Sequence, residues 1–125
     1  MFQNRFSVAI PRVSSTAAIV LALIIINLIF NVIANASFKL SALSPNWRGL
    51  LDWQVVGNLA GLVTVITLTW LLRYLPLSIA FPITTGLAVL GVQLVATRLY
   101  FHEPTSPAQW LGAALIVGGI FLVQR

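Results

Sequence analysis

Four long apolar stretches account for most of this 125-residue chain, and charged residues gather in the short segments between them. The stretches run from about 16 to 38, 55 to 72, 77 to 97 and 108 to 123. A helix needs about 20 apolar residues to cross the roughly 30 Å hydrocarbon core of a bilayer. The pattern therefore predicts an all-α membrane protein with four transmembrane helices, the last of them short.

The connections between the stretches are short and rich in residues that end helices. The longest is predicted at 41–54 and contains the acid Asp52, and a tight turn is predicted at 74–76. In the third connection, Ser106 is expected to cap the fourth helix, because a serine oxygen can accept from a free N–H of the first turn. Pro107 suits that first turn, where its missing N–H costs nothing.

Residues 1–15 form a separate N-terminal segment, followed by a predicted transporter-like domain at 16–125. Arg5 and Arg12 would suit the charged region of a signal peptide. However, the apolar run that follows is too long for a signal peptide, and no small-residue cleavage site comes after it. We therefore expect this run to be retained as the first transmembrane helix.

Composition supports the membrane assignment. Only 7% of the residues are charged, against roughly 25% in a soluble domain. The net charge of +5 comes from single basic residues beside apolar runs, where they contact lipid headgroups rather than nucleic acid. No cysteine is present, which excludes thiolate metal sites, and His102 beside Glu103 lacks a nucleophile. The sequence predicts neither an enzyme nor a cofactor or metal site.

The distribution of basic residues leaves the orientation open. With a cytoplasmic N-terminus, four basic residues lie on the cytoplasmic side and three on the other, which is a weak bias. The chain either keeps both termini inside or inserts in both orientations and pairs antiparallel. The cytoplasmic set is Arg5, Arg12, Arg73 and Arg125, and the opposite set is Lys39, Arg48 and Arg98.

Three asparagines lie along one face of the first helix. Asn27, Asn31 and Asn35 are spaced four residues apart, which places them one above another on a helix. Amides are costly against lipid, so this face should meet a partner helix or a polar cavity. The ladder predicts either bonds that hold helices together or a substrate path, and the spacing alone does not separate the two.

The third helix contains the most unusual sequence. Pro82 removes one backbone hydrogen bond, and Thr84, Thr85 and Gly86 follow it. Such interruptions often occur in the moving or binding segment of a transporter. We expect a kink and conformational change at Pro82 and Gly86, with a kink that only fits packing as the alternative.

The fourth helix offers small residues and almost no polar ones. Gly112, Gly118 and Gly119 permit close helix association, so this helix is predicted to mediate oligomerisation. Four short helices do not easily enclose a substrate path alone. We therefore expect a homodimer, or a heterodimer with a similar small membrane protein.

Several segments resemble a known group of transporters. Residues 75–82, which read LPLSIAFP, are followed by Gly86 and by the Gly118-Gly119 pair. This arrangement resembles the drug/metabolite transporter superfamily, including the four-helix small multidrug resistance proteins. Residues 102–107, which read HEPTSP, are similar to the small flippase subunits for aminoarabinose-phosphoundecaprenol and to the end of EamA-type repeats. The resemblance implies a small multidrug resistance-like bundle in the inner membrane.

The chain departs from the multidrug pattern at three positions. Small multidrug resistance proteins carry a glutamate where this chain has Asn31, and an asparagine does not titrate. In the third helix, Phe81 lacks a hydroxyl and Thr84 stands where a tryptophan is usual. These differences disfavour proton-coupled export of cationic drugs. The flippase branch does not require that acid.

The leading hypothesis is therefore a flippase subunit that translocates a lipid-linked sugar or a similar amphipathic substrate across the inner membrane. A small-molecule or multidrug cation exporter is the first alternative, and a non-transporting scaffold subunit of a larger complex is the second. The expected partners are membrane lipids, the substrate and a second small subunit. The predicted substrate-binding residues are Asn27, Asn31, Asn35, Phe81, Thr84 and Thr85.

Overall fold

The computed structural model describes residues 13–123 of the chain, with side chains from residue 15 onward. Four helices follow in order, and within these residues there is no β-strand. They are α1 (Val13–Leu43), α2 (Trp47–Leu71), α3 (Leu77–Gly91) with a π-helical continuation (Val92–Tyr100), and α4 (Pro107–Val123). The predicted all-α fold with four helices is confirmed. Arg5, Arg12 and Arg125, which entered the topology argument, lie outside the described residues.

Three helical segments are long and apolar enough to cross a membrane: Ser15–Leu43, Trp47–Leu71 and Leu77–Tyr100. The fourth helix is apolar but has only 17 residues. Large apolar side chains cover the outer surface, among them Leu115 at 68% exposure and Leu122 at 75%. Such a continuous apolar surface is unfavourable in water and suits lipid. The protein is a multi-pass membrane protein.

The second helix begins earlier than the apolar pattern indicates. It starts at Trp47, so the predicted connection at 41–54 shrinks to the three residues 44–46. Asn46 caps α2 by accepting a hydrogen bond from the Gly49 amide at 2.8 Å. Asp52 is consequently an exposed helical residue rather than a loop residue. The local cap explains this early start, because it satisfies a free N–H of the first turn before the apolar run begins.

The fourth helix begins as predicted. Ser106 Oγ accepts a hydrogen bond from the Gln109 amide at 3.2 Å, and Gln109 Oε1 accepts from the Ser106 amide at 2.9 Å. This reciprocal pair is a capping box, with Pro107 in the first helical position. The segment before α4 is therefore held in one conformation at its C-terminal end.

The most extensive helix contact joins α1 and α2, and α3 packs against α1 and α4. Glycines permit these approaches: a Cβ on Gly57 would overlap the Phe38 ring, and one on Gly91 would lie 2.8 Å from Leu28 Cδ1. A Cβ on Gly86 would likewise overlap the Ile120 side chain of α4. Gly86 thus serves as a packing position between α3 and α4, in addition to its predicted role in conformational change, which stays a prediction.

Gly86→Ala is expected to lower the free energy of unfolding by about 1–3 kcal/mol, since the added Cβ overlaps Ile120 Cδ1. Ile120→Val removes that Cδ1 atom and should recover most of the loss in the double variant. Reversible denaturation in mixed micelles measures all three free energies.

Gly61→Ala is the matched control, because nothing lies within 4 Å of a Cβ at Gly61. We expect it to be neutral or slightly stabilising. Equal destabilisation by the two glycine substitutions would contradict the packing role of Gly86.

Candidate functional site

The asparagine ladder of α1 begins in the core of the bundle. Asn27 is 3% exposed and donates hydrogen bonds from Nδ2 to the Thr64 carbonyl at 2.9 Å and to Thr67 Oγ1 at 3.0 Å. Both acceptors are on α2. Asn27 therefore joins α1 to α2, which is the first of the two roles predicted for the asparagine face.

The other two asparagines become progressively more accessible. Asn31 Nδ2 donates to Asn27 Oδ1 at 3.0 Å, and Asn35 Nδ2 donates to the Asn31 carbonyl at 2.9 Å. Asn31 is partly buried, and Asn35 is exposed. The ladder is thus one hydrogen-bonded chain that starts between helices and ends at an open surface. At the Asn27 end its amide holds two helices together, whereas at the Asn35 end the amide is accessible to a ligand.

A small cleft lies beside the inner part of the ladder. Its volume is about 210 Å³, and α1, α2 and α3 all contribute to its lining. The structure brings five of the six predicted substrate-binding residues together here. These are Asn27, Asn31, Phe81, Thr84 and Thr85.

The threonines of α3 differ in their availability. Thr84 is buried, and its hydroxyl donates to the Ala80 carbonyl at 3.0 Å. Such a bond back to the same helix satisfies the hydroxyl in an apolar environment. Thr85 is exposed and, with Ala88, belongs to the lining of a second cleft as well. Pro82 lies within α3, whose helical segment continues from Leu77 to Gly91.

The second cleft is larger, with a volume of about 440 Å³. It lies toward the end of the bundle formed by the α3–α4 connection, and it contains Asn35, the sixth predicted residue. The two clefts adjoin, because Thr85 and Ala88 of α3 line both of them. Together they follow the asparagine face of α1. We call this pair of clefts the amide groove. Its outer part also includes Gln93, Thr97, Glu103, Thr105 and Gln109.

The π-helical segment Val92–Tyr100 supplies part of that outer lining. Short π-helical turns are frequent at functional sites, because they change which side chains share a face. Gln93 is on this segment, and its buried Nε2 has no hydrogen-bond partner among the described residues. An unpaired buried amide is unfavourable, so this donor is available to a ligand or to water.

An ion pair lies at the outer end of the groove. Lys39 Nζ at the end of α1 lies 3.0 Å from Glu103 Oε1 in the α3–α4 connection, and the two side chains are 43% and 38% exposed. The Glu103 amide also donates to the Thr97 carbonyl at 2.7 Å. Glu103 is therefore held from two directions at the edge of the cleft. No group of three or more potential metal ligands occurs within residues 13–123.

The predicted oligomerisation residues lie on open surface. Nothing in the described chain lies within 4 Å of a Cβ at Gly112, Gly118 or Gly119. The glycines of α4 are thus not used for packing within the chain. Their role in association stays a prediction.

Sequence reasoning missed Gln93 and Glu103 as groove residues. The amide of Gln93 was visible in the third apolar stretch, but its face could not be assigned without the π-helical segment. Glu103 was placed in a connection, and nothing in the pattern showed that this connection folds over the cleft.

Asn27→Ala is expected to lower the free energy of unfolding by about 0.6–2 kcal/mol, because it removes the bonds to α2. Asn35→Ala serves as the matched control and should change stability little, since Asn35 is exposed and bonded only within α1. Denaturation of both variants in micelles checks the difference. If both variants lost the same free energy of unfolding, the bonds from Asn27 to α2 would not contribute more to stability than the exposed Asn35 amide.

Comparison with known proteins identifies relatives over about two thirds of the chain. The chain is 37% identical over 79 residues to the probable 4-amino-4-deoxy-L-arabinose-phosphoundecaprenol flippase subunit ArnE of Aeromonas salmonicida, covering 62% of this chain and 68% of the relative. It is 41% identical over 84 residues to the protein of the same name from Escherichia coli O157:H7, covering 66% and 72%. No family model and no solved structure matches the chain. The resemblance to small flippase subunits is confirmed, and the chain belongs to the ArnE family of flippase subunits.

Proposed function

We propose that this chain is one subunit of an inner-membrane flippase that translocates a lipid-linked sugar, with the amide groove as the path of the headgroup. The observation that carries the proposal is the pair of adjoining clefts that makes up the amide groove. It extends from Asn27, at the middle of α1, to Glu103 at the end of the bundle. The names of the relatives, which specify a sugar-phosphoundecaprenol flippase, support the substrate class for this chain.

The groove matches the physical requirement of moving a headgroup through lipid. A sugar has many hydroxyl groups, and each loses its bonds to water when it enters the hydrocarbon region. Asn31 and Asn35 provide amide oxygens, and Gln93 provides an unpaired amide donor, at successive depths. Uncharged partners of this kind replace water without holding the headgroup as tightly as a buried charge would.

The apolar part of the substrate has a separate surface. Phe81 lines the inner cleft and is also 53% exposed on the outside of the bundle. An isoprenoid tail can therefore remain in the bilayer against Phe81 while the headgroup occupies the groove. This arrangement needs no enclosed channel within a single chain.

Basic residues near the groove end can attract the phosphate. Arg98 is exposed in the last turn of the π-helical segment, and Lys39 lies beside Glu103. Cations at the membrane interface attract anionic groups over a short range. Arg73 lies at the opposite end, where its guanidinium is 5.4 Å from the centre of the Trp70 ring.

The groove has no carboxylate near its centre, where Asn31 lies. An asparagine cannot exchange a proton with the substrate, so Asn31 cannot couple the transport of a cation to protons. This feature favours the flippase over the cation exporter as the function of the chain.

A second subunit completes the proposed transporter, either another copy of this chain or a similar small membrane protein. The glycine positions of α4 are open, and Asn35 and Thr85 of the amide groove are exposed. Close helix contact through α4 requires no change in its backbone. The relatives are named as subunits, which agrees with a partner.

Asn31→Ala is expected to reduce translocation of 4-amino-4-deoxy-L-arabinose-phosphoundecaprenol in reconstituted vesicles by about tenfold, since one lost ligand bond is worth about 1.4 kcal/mol. Asn31→Glu should also reduce it, because a charge at this depth is unfavourable. Proton-driven export of a cationic dye is measured in the same vesicles and is expected to be absent from the wild type.

Asn58→Ala is the matched control, since Asn58 is an exposed amide of α2 that bonds to Gln54 and does not line the groove. It should leave translocation unchanged. Equal activity of Asn31→Ala and wild type would remove the groove from the transport path. Dye export by the wild type would support the cation exporter, and no transport of either cargo would support a scaffold role.

Gly112→Cys is expected to give a disulfide-linked species on mild oxidation in membranes, because the open glycine face of α4 lies at the proposed contact. The chain has no cysteine of its own, so any cross-link reports the introduced position alone. Leu59→Cys, on the exposed surface of α2, is the control and should remain uncrosslinked. Cross-linking from Leu59→Cys alone would place the contact on α2 instead.

A further inference from the structure

The outer part of the amide groove contains a carboxylate that has no role in the amide contacts with the sugar. The chain has only two acids. Asp52 is exposed on α2 and belongs to neither cleft, whereas Glu103 lines the 440 Å³ cleft beside Gln93 and Thr97. Glu103 is therefore the one side chain of the groove lining with a negative charge.

The position of Glu103 is fixed by its surroundings. Its amide donates to the Thr97 carbonyl, and the capping box of Ser106 and Gln109 holds the chain a few residues later. The Trp110 Nε1 atom donates to Thr105 Oγ1 at 3.0 Å and restrains the part between them. A group anchored in this way is positioned before any ligand arrives, which reduces the loss of freedom on binding.

The counterion of Glu103 is exchangeable. Lys39 approaches from α1 and does not line the cleft, and both side chains of the pair remain accessible to solvent. Exposed ion pairs contribute little net stability, so a ligand ammonium can replace Lys39 at small cost. The unpaired Gln93 amide in the same cleft offers a second contact for the ligand.

We infer that the outer cleft is a headgroup-recognition site in which Glu103 binds the ammonium group of an amino sugar in place of Lys39, with Gln93 donating to an oxygen of the same headgroup. This inference rests on the proposed function and adds to it the residues that distinguish an amino headgroup from one with a hydroxyl. A volume of about 440 Å³ lies within the range of roughly 300–1,000 Å³ that is typical of small-molecule sites.

The test compares two lipids that differ only at this group: 4-amino-4-deoxy-L-arabinose-phosphoundecaprenol, and arabinose-phosphoundecaprenol with a hydroxyl in place of the ammonium. Binding to the full chain in nanodiscs is followed by tryptophan fluorescence. Trp110 contacts the cleft residue Thr105 and is the expected reporter, which a Trp110→Phe variant identifies. The readout is the ratio of the two Kd values.

The wild type is expected to bind the amino lipid about three- to fivefold more tightly, which is the scale of an exposed ion pair, and Glu103→Gln should bring the ratio close to one. Lys39→Gln loses the same ion pair but keeps the carboxylate, so its ratio should stay near that of the wild type. Asp52→Asn should also keep the ratio. Glu103→Gln thus reports the loss of the carboxylate, Lys39→Gln reports the loss of the ion pair alone, and Asp52→Asn reports a change of net charge elsewhere.

The inference is overturned if the wild type shows no preference, or if Glu103→Gln keeps the preference. Loss of the preference in Lys39→Gln would overturn it as well, because the intact pair would then be what matters. If the wild type still bound both lipids, these outcomes would overturn the inference but would not contradict the proposed function. Binding of neither lipid by the wild type would contradict the proposed function itself.

Discussion

The hydrogen bonds from Asn27 to α2 are the constraint on which the site depends. In a lipid environment, apolar side chains do not drive helices together, so close packing and polar contacts determine which faces meet. The Asn27 amide bonds to both the backbone and the hydroxyl of its partner helix. This fixes the rotation of α1 about its axis. The same rotation places Asn31 and Asn35, one and two turns farther along, beside α3 rather than against lipid.

A second polar contact supports this arrangement at the other end of α1. The buried Ser41 hydroxyl donates to the Leu50 carbonyl at 2.8 Å, and Gln54 Nε2 donates to Ser41 Oγ at 3.3 Å. With α1 and α2 joined at two depths, the remaining freedom lies in how α3, against which α4 packs, lies on this pair. The groove lies on the boundary between these two parts. A site at such a boundary can change shape without breaking the polar contacts of the first helix pair.

The apolar pattern was sufficient to predict the four helices, and Ser106 with Pro107 was sufficient to predict the start of α4. Asn27, Asn31 and Asn35 could be assigned to one face because helical spacing alone fixes that relation. The spacing could not say what the face meets, and the three residues proved to have three different environments. The α2 helix starts at Trp47, before the apolar run from which the second span was predicted. It does so because Asn46 caps the helix there. The π-helical segment has no recognisable signal in the sequence, so the positions of Gln93 and Thr97 in the groove could not be predicted.

The amide groove lies between helices at the side of the chain and is not a tube through it, since α1 and α3 form most of its walls and Asn35 and Thr85 remain exposed along it. A lipid whose headgroup enters such a groove from the side does not pass its hydrocarbon tail through a channel. The length and saturation of the hydrocarbon chain therefore contribute little to selection, and discrimination falls on the few atoms of the polar end. A transporter built on this plan tolerates different lipid carriers while it distinguishes closely related sugars.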